Sequence, residues 1–168
     1  MPLRIRDENT LDVEAIAALT EAAFRDAPQS SHTEQYIVSA LRRAGQLTLS
    51  LVAEQGGVVV GHVAVSPVTV SDGSAGWYGL GPISVSPELQ GQNIGASLMH
   101  AAMDGLRAHG AAGCVLVGEP AFYTRFGFQA VSGLVYPGIP PEFFMALSFG
   151  GVMPQGTVRY HPAFEATA

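Results

Sequence analysis

The residues of this chain whose types and spacing could do chemistry lie mainly between Ile83 and Ala96. Ile83-Ser84-Val85-Ser86-Pro87-Glu88-Leu89-Gln90-Gly91-Gln92-Asn93-Ile94-Gly95-Ala96 reads as an apolar strand running through a tight glycine-containing loop directly into a helix. That arrangement aims unpaired backbone N–H groups and the positive end of a helix dipole at one point. Such a nest can hold a pyrophosphate without any lysine. Small residues at Gly91, Gly95 and Ala96 would let the phosphate approach the main chain. The spacing is not the G-x-G-x-x-G of dinucleotide-binding folds, and the strands before it read as hairpins rather than a βαβ unit.

Lysine is absent from the 168 residues, and all eight basic side chains are arginines, set against fourteen acids for a net charge of −6. Without lysine there is no Walker-type phosphate loop and no Schiff-base catalysis. An acidic chain without basic clusters also lacks the footprint of a nucleic-acid binder. Cys114 is the only cysteine, so neither an internal disulfide nor a cysteine-based zinc site is possible. No apolar span is long enough for a membrane helix, no signal peptide is visible, and a cytoplasmic address is the default.

The elements that must position the loop follow from periodicity. Leu3–Arg6 alternates as a short strand. A helix is expected over Leu11–Arg25, capped by Thr10 or Asp12, with Val13, Ile16, Ala17, Thr20 and Phe24 inward. Ser31 and Glu34 have capping-box spacing and open a second helix that runs to Gly45. Leu47–Glu54 and Val58–Pro67 are β-branched runs joined by Gln55-Gly56-Gly57, a hairpin signal. A third antiparallel strand spans Trp77–Val85. The helix from Asn93 turns Ile94, Leu98, Ala102 and Leu106 inward, keeps Ser97, His100, Asp104 and Arg107 as a polar stripe, and ends at Gly110. Cys114–Val117 is a strand buried on both faces. Pro120–Phe126 is a brief helix with Gly127 past its end. Gln129–Val131 and Met145–Phe149 read as strands around a Gly/Pro segment. The fold class is therefore α/β (α+β), a mixed sheet with helices on both faces.

Pro87 to Ala96 resembles motif A of the GNAT superfamily of N-acetyltransferases, (Gln/Arg)-x-x-Gly-x-(Gly/Ala). Ala121-Phe122-Tyr123-Thr124-Arg125-Phe126-Gly127-Phe128 resembles its C-terminal motif, a tyrosine four residues before Gly-Phe. The closing Val158–Phe164 and Gly118-Glu119-Pro120 are similar to the YhbS-like branch. The resemblance spans nearly the whole chain and implies one N-acetyltransferase domain over residues 1–168. Asn93 departs from the pattern, standing where the family has its first glycine. Asparagine is the non-glycine residue that best tolerates left-handed geometry, so the turn is expected to survive.

The resemblance implies acetyl-CoA as co-substrate and no metal, with the cofactor lying between the splayed strands Trp77–Val85 and Cys114–Val117. The pantetheine arm would pair with Ile83, Ser84 and Val85 as an added strand. Pyrophosphate would sit on the amides of Gly91, Gln92, Asn93, Ile94, Gly95 and Ala96. Tyr123 occupies the family's acid position. A phenol of pKa about 10 stays protonated at neutral pH and, well placed, protonates a leaving thiolate of pKa about 8.5. Glu119, at the end of a buried strand, is the best candidate for the base. His62 is a weaker one, and Cys114, in an apolar strand, is expected to be inert. The acceptor, a small-molecule amine or a peptide N-terminus, would bind between the Asp26–Ser31 loop and Tyr136–Phe144. Asp26, Glu34 and Glu142 would attract a cation there, and Phe143 and Phe144 would give apolar contact. Acetyltransferases of this type often pair as homodimers. Two other readings stay open: a catalytically weak acyl-CoA-binding or interaction module, which Asn93 would favour, and an unrelated phosphate-binding domain.

Overall fold

The sheet is built outward from a hairpin. Strands β2 (Leu49–Gln55) and β3 (Val58–Val70) are antiparallel and meet at Gly56-Gly57. Both turn residues have positive φ, 60° and 79°, the signature of a two-residue turn that matches strand twist. β1 (Leu3–Asp7) pairs with β2, and β4 (Trp77–Val85) with β3, all antiparallel. β5 (Gly113–Val117) then joins β4 in parallel, and β7 (Phe144–Ser148) closes that edge. The resulting order is β1-β2-β3-β4-β5-β7. The computed structural model describes residues 2–28 and 30–168.

Helices α1 (Val13–Phe24) and α2 (Glu34–Arg43) cover one face, burying Ile16 with Val38 and Val52. Helix α3 (Ile94–His109) covers the other. Its buried stripe is the expected Ile94, Leu98, Ala102 and Leu106, widened by Met99 and Met103. These pack on Leu51, Val63, Leu80 and Leu116 of the central strands. His100, Asp104 and Arg107 remain exposed opposite. Helix α4 (Pro120–Tyr123) follows β5 and continues as a single 3₁₀ turn to Phe126.

Several local expectations are corrected. Neither Thr10 nor Asp12 caps α1 with its side chain. Asn9 and Asp12 instead form a reciprocal capping box around a 3₁₀ turn, and Arg6 claims the Asp12 carboxylate at 2.7 Å. Ser31 does not cap α2. Thr33 takes the cap position, and Glu34 is bound at 2.8 Å by the Ser30 hydroxyl. Gln129–Val131 contributes one isolated bridge to Ala146 rather than a strand. Two strands escape pattern reading: β8 (Gly156–Tyr160), which pairs antiparallel with the far end of β3, and the short β6 (Leu134–Val135), which pairs with β8 in parallel.

Beneath α1 lies a buried polar cluster. Ser50 donates its only hydroxyl proton to Glu8, and Arg42 binds the same carboxylate at 2.8 and 2.9 Å. The 2.8 Å contact between Ser50 Oγ and His62 Nε2 must therefore have Nε2 as donor. His62 is thus the Nε2–H tautomer, fully buried, with a bare Nδ1 that has no partner among the described residues, on the residue paired with Ser84 of β4.

Candidate active site

The cleft begins where two strands separate. β4 and β5 pair only over Trp77–Gly79 against Gly113–Val115. Between the β3–β4 pairs Val65↔Leu80 and Val63↔Ile83, β4 holds two residues, Gly81 and Pro82, against the single Ala64. A bulge of this kind bends its strand, and Pro82 has no N–H to give to β5. The β5-facing edge of β4 beyond Gly79 is therefore left without a strand partner, while β5 pairs along its whole length with β7.

At the end of β4 the chain makes a 3₁₀ turn over Pro87–Leu89 and enters α3 through Asn93. Asn93 has φ 67° and ψ 12°, the left-handed conformation, and its side chain makes no capping hydrogen bond. What it gives the helix comes from its backbone, not its side chain. The first bond into the helix runs from Ser97 N–H to Asn93 O at 3.0 Å. The amides of Ile94, Gly95 and Ala96 precede it, and the first N–H groups of a helix have no intrahelical acceptor. Because only the backbone angle matters, Asn93→Gly is expected to keep or tighten acetyl-CoA affinity. Asn93→Ala should cost roughly 1 kcal/mol in stability, read by denaturant melts. A large loss of affinity in the glycine variant would instead assign the side chain a contact of its own.

Helix α4 supplies the phenol. Pro120 sets its first turn, and the carbonyl of Glu119 accepts from the N–H groups of Phe122 and Tyr123 at 3.1 and 3.2 Å. The Tyr123 ring packs edge-on against Phe122, with centroids 4.8 Å apart, and lies so close to Gly118 that a Cβ there would overlap it. Its hydroxyl has no hydrogen-bond partner among the described residues. Burial pushes its pKa up to about 12.

These elements enclose a cleft of about 700 Å³, within the range of ligand pockets. Ile83 and Val85 line it from β4, Gly91, Asn93, Ile94, Gly95 and Ala96 from the loop and α3, and Tyr123 from α4. Ser84, Gln92 and Glu119 belong to the same segments but are not in its wall. Ser84 is buried on the α1 side, and Gln92 and Glu119 face solvent. The opposite wall was not foreseen: Ala23, Phe24 and Ala27, from the end of α1 and just beyond it. Phe24 is an apolar position in a helical stripe, and nothing in its spacing separates a cleft wall from core. Arg125 was legible within its motif but without a role. Among the described residues it is the one charged side chain lining the cleft, with its guanidinium over the rings of Phe122 and Phe126 at 5.4 and 5.6 Å.

Cys114 is fully buried, and burial pushes its thiol well above the ordinary range, as expected of an inert cysteine. Among the described residues no three His, Cys, Asp or Glu side chains gather as a metal site, and no helix is long and apolar enough to cross a membrane.

Comparison with known proteins places this geometry among relatives. Residues 4–131 match the model of an acetyltransferase (GNAT) domain. The chain is 39% identical over 170 residues to an uncharacterized N-acetyltransferase, YhbS, of Escherichia coli strain K12, covering 96% of this chain and 98% of that one. It superposes with TM-score 0.87 and 48% identity on the crystal structure of a GNAT family acetyltransferase from Brucella melitensis in complex with acetyl-CoA, covering 97% and 98% of the two chains. The Escherichia coli YhbS crystal structure, in complex with CoA, matches with TM-score 0.87 and 34% identity over 99% of this chain and 93% of that one.

Proposed function

Because the chain belongs to the GNAT family of acetyltransferases, its activity is acetyl-CoA-dependent N-acetylation, and we propose that the cleft between β4, α3 and α4 performs it with the residues described above. The observation that carries this assignment is the convergence on one cleft of the helix start at Asn93 and the unpartnered hydroxyl of Tyr123. When bound, acetyl-CoA supplies the acetyl group as a thioester, activated for attack by an amine.

The free edge of β4 over Ile83–Val85 receives the pantetheine amides as a missing strand would. Gly91 through Ala96 present backbone N–H groups to the pyrophosphate, where the dipole of a 16-residue helix favours negative charge. Arg125 adds the one side-chain cation. Tyr123 gives its proton to the departing sulfur. Glu119, one turn before Tyr123 and open to solvent, takes the proton of the incoming ammonium through water. The cytoplasm is the proposed site of action.

Calorimetry with acetyl-CoA tests the binding half. Wild-type protein should bind, and Arg125→Ala should weaken binding about fivefold or more, the equivalent of one exposed charge-assisted contact of roughly 1 kcal/mol. The difference should shrink as salt screens it. No binding at millimolar acetyl-CoA would sink the cleft assignment, and equal affinities would remove only the arginine.

A further inference from the structure

Across Phe24 from the cofactor cleft lies a second recess of about 160 Å³, lined by Glu21, Phe24, Arg25, His32 and Gln35. Phe24 is a wall of both cavities. Glu21 and Arg25 stand one helical turn apart on α1, the spacing at which opposite charges on a helix ordinarily pair. Neither side chain makes an ion pair or hydrogen bond to any described residue. His32, opposite them, is held in a left-handed conformation with φ 61° by donating its N–H to Ser30 Oγ at 2.8 Å. Glu34, an acid that sequence reading offers to an amine, is engaged by Ser30 and absent from the recess wall. The recess therefore presents one carboxylate and one guanidinium that pair with no described residue, and an aromatic edge shared with the acetyl-transfer cleft.

We infer that this recess holds the headgroup of the acceptor, and that the acceptor is a small free diamino acid. The inference rests on the acetyltransferase assignment and adds the substrate class to it. A zwitterionic headgroup matches the wall, its carboxylate on Arg25 in the two-pronged geometry guanidinium favours and its ammonium on Glu21. An ammonium held by a carboxylate keeps its proton and has no lone pair for attack. The reacting amine must then be a second one, carried by an alkyl arm across the apolar face of Phe24 into the cleft beside Tyr123. There the terminal nitrogen, neutral on attack, forms the new C–N bond as the C–S bond breaks. One proton leaves with the sulfur as free thiol, and the headgroup ammonium is unchanged. A peptide-bound lysine has no free carboxylate for Arg25, and a plain diamine has none either.

The test uses the full chain with acetyl-CoA and follows free thiol release. L-lysine and L-ornithine are compared with cadaverine, which keeps an arm and an amine without the carboxylate, and with Nα-acetyl-lysine amide, which mimics a peptide-bound residue. The diamino acids should show kcat/KM at least about tenfold above both controls, with the acetyl group found on the terminal nitrogen by product NMR. Arg25→Gln should raise KM for lysine at least about tenfold more than for cadaverine, whereas Glu21→Gln should raise KM for both, since both carry the second ammonium. Equal turnover of lysine and cadaverine, acetylation of the α-nitrogen, or a parallel loss on both substrates in Arg25→Gln would overturn the inference. If other amines release thiol and diamino acids do not, the substrate class is wrong and the acetyltransferase assignment stands. If acetyl-CoA binds and no amine in a broad panel releases thiol, the assignment itself fails.

Discussion

Replacing Tyr123 by phenylalanine is expected to lower kcat by about 10²–10⁴-fold, the range for loss of a positioned general acid, while leaving acetyl-CoA affinity nearly unchanged. The substitution keeps the ring, and with it the edge-on contact with Phe122 and the close approach to Gly118, so it removes only the hydroxyl. Burial has raised that hydroxyl to about 12, which at first sight makes it a poor acid for a thiolate of ordinary pKa about 8.5. The same desolvation acts on a thiolate departing into the same cleft and raises its proton affinity too, so the match between donor and acceptor is preserved. The shift also keeps the acid protonated through the whole working range. The pH–rate profile of the wild type should accordingly show no alkaline fall attributable to Tyr123 below about pH 11. Steady-state kinetics and calorimetry on the two proteins decide the matter. Equal kcat in both would remove Tyr123 from the mechanism, and a parallel collapse of cofactor affinity would make it a binding residue.

Folding stability should depend steeply on pH on the acid side, with His62 as the largest single source. Burial in the cluster beneath α1 lowers its pKa from 6.5 to about 4, Arg42 pushes it the same way, and Glu8 and Asp12 oppose the shift. The folded state therefore resists a proton that the unfolded state accepts. Between about pH 6.5 and pH 4 unfolding takes up that proton, and stability falls as pH falls. A shift of this size corresponds to about 3 kcal/mol, complete near pH 4. Below that, carboxylates carry the trend further. Arg6 holds Asp12 below the ordinary carboxylate range. For Glu8, burial pushes upward, but its bonds to Arg42 and Ser50 outweigh this and the net shift is downward. Their contribution is present above the unfolded carboxylate pKa and is lost as pH drops through the lowered folded values. Denaturant melts between pH 4 and 7 should show this loss, and His62→Gln should flatten it. A wild-type stability independent of pH over that interval would mean that His62 is not the buried neutral group described.

Much of the site could be read from the chain because the informative signals are local. The Gly56-Gly57 turn, the stripe of α3 and the switch from strand to helix around Asn93 each depend on residues within one or two turns of one another. Asn93 could be placed in left-handed geometry from its type alone, since few other side chains tolerate it. What stayed hidden depends on distant partners. Asp12 looks like a cap until Arg6, on another element, takes its carboxylate. The pairing of Val68–Val70 with Val158–Tyr160 joins segments about ninety residues apart, and no periodicity announces which edge β8 will choose. Phe24 is the clearest case for the site: its period says that it faces inward, and only the packing of α1 makes that side the wall of two cavities.

The short pairing of β4 with β5 gives the molecule the mechanics of a clothes peg. Three residue pairs, Trp77–Gly79 with Gly113–Val115, form the pivot, and the diverging strand ends are the jaws. At the pivot, Tyr160 of β8 packs against Gly79 while its strand pairs with β3, so β8 braces the hinge point. Force between the jaws is borne by whatever lies there, and a ligand bonded along both would turn an open peg into a closed one. The C-terminal strand, remote in sequence from every residue proposed to touch acetyl-CoA, packs directly against the pivot from which the jaws diverge.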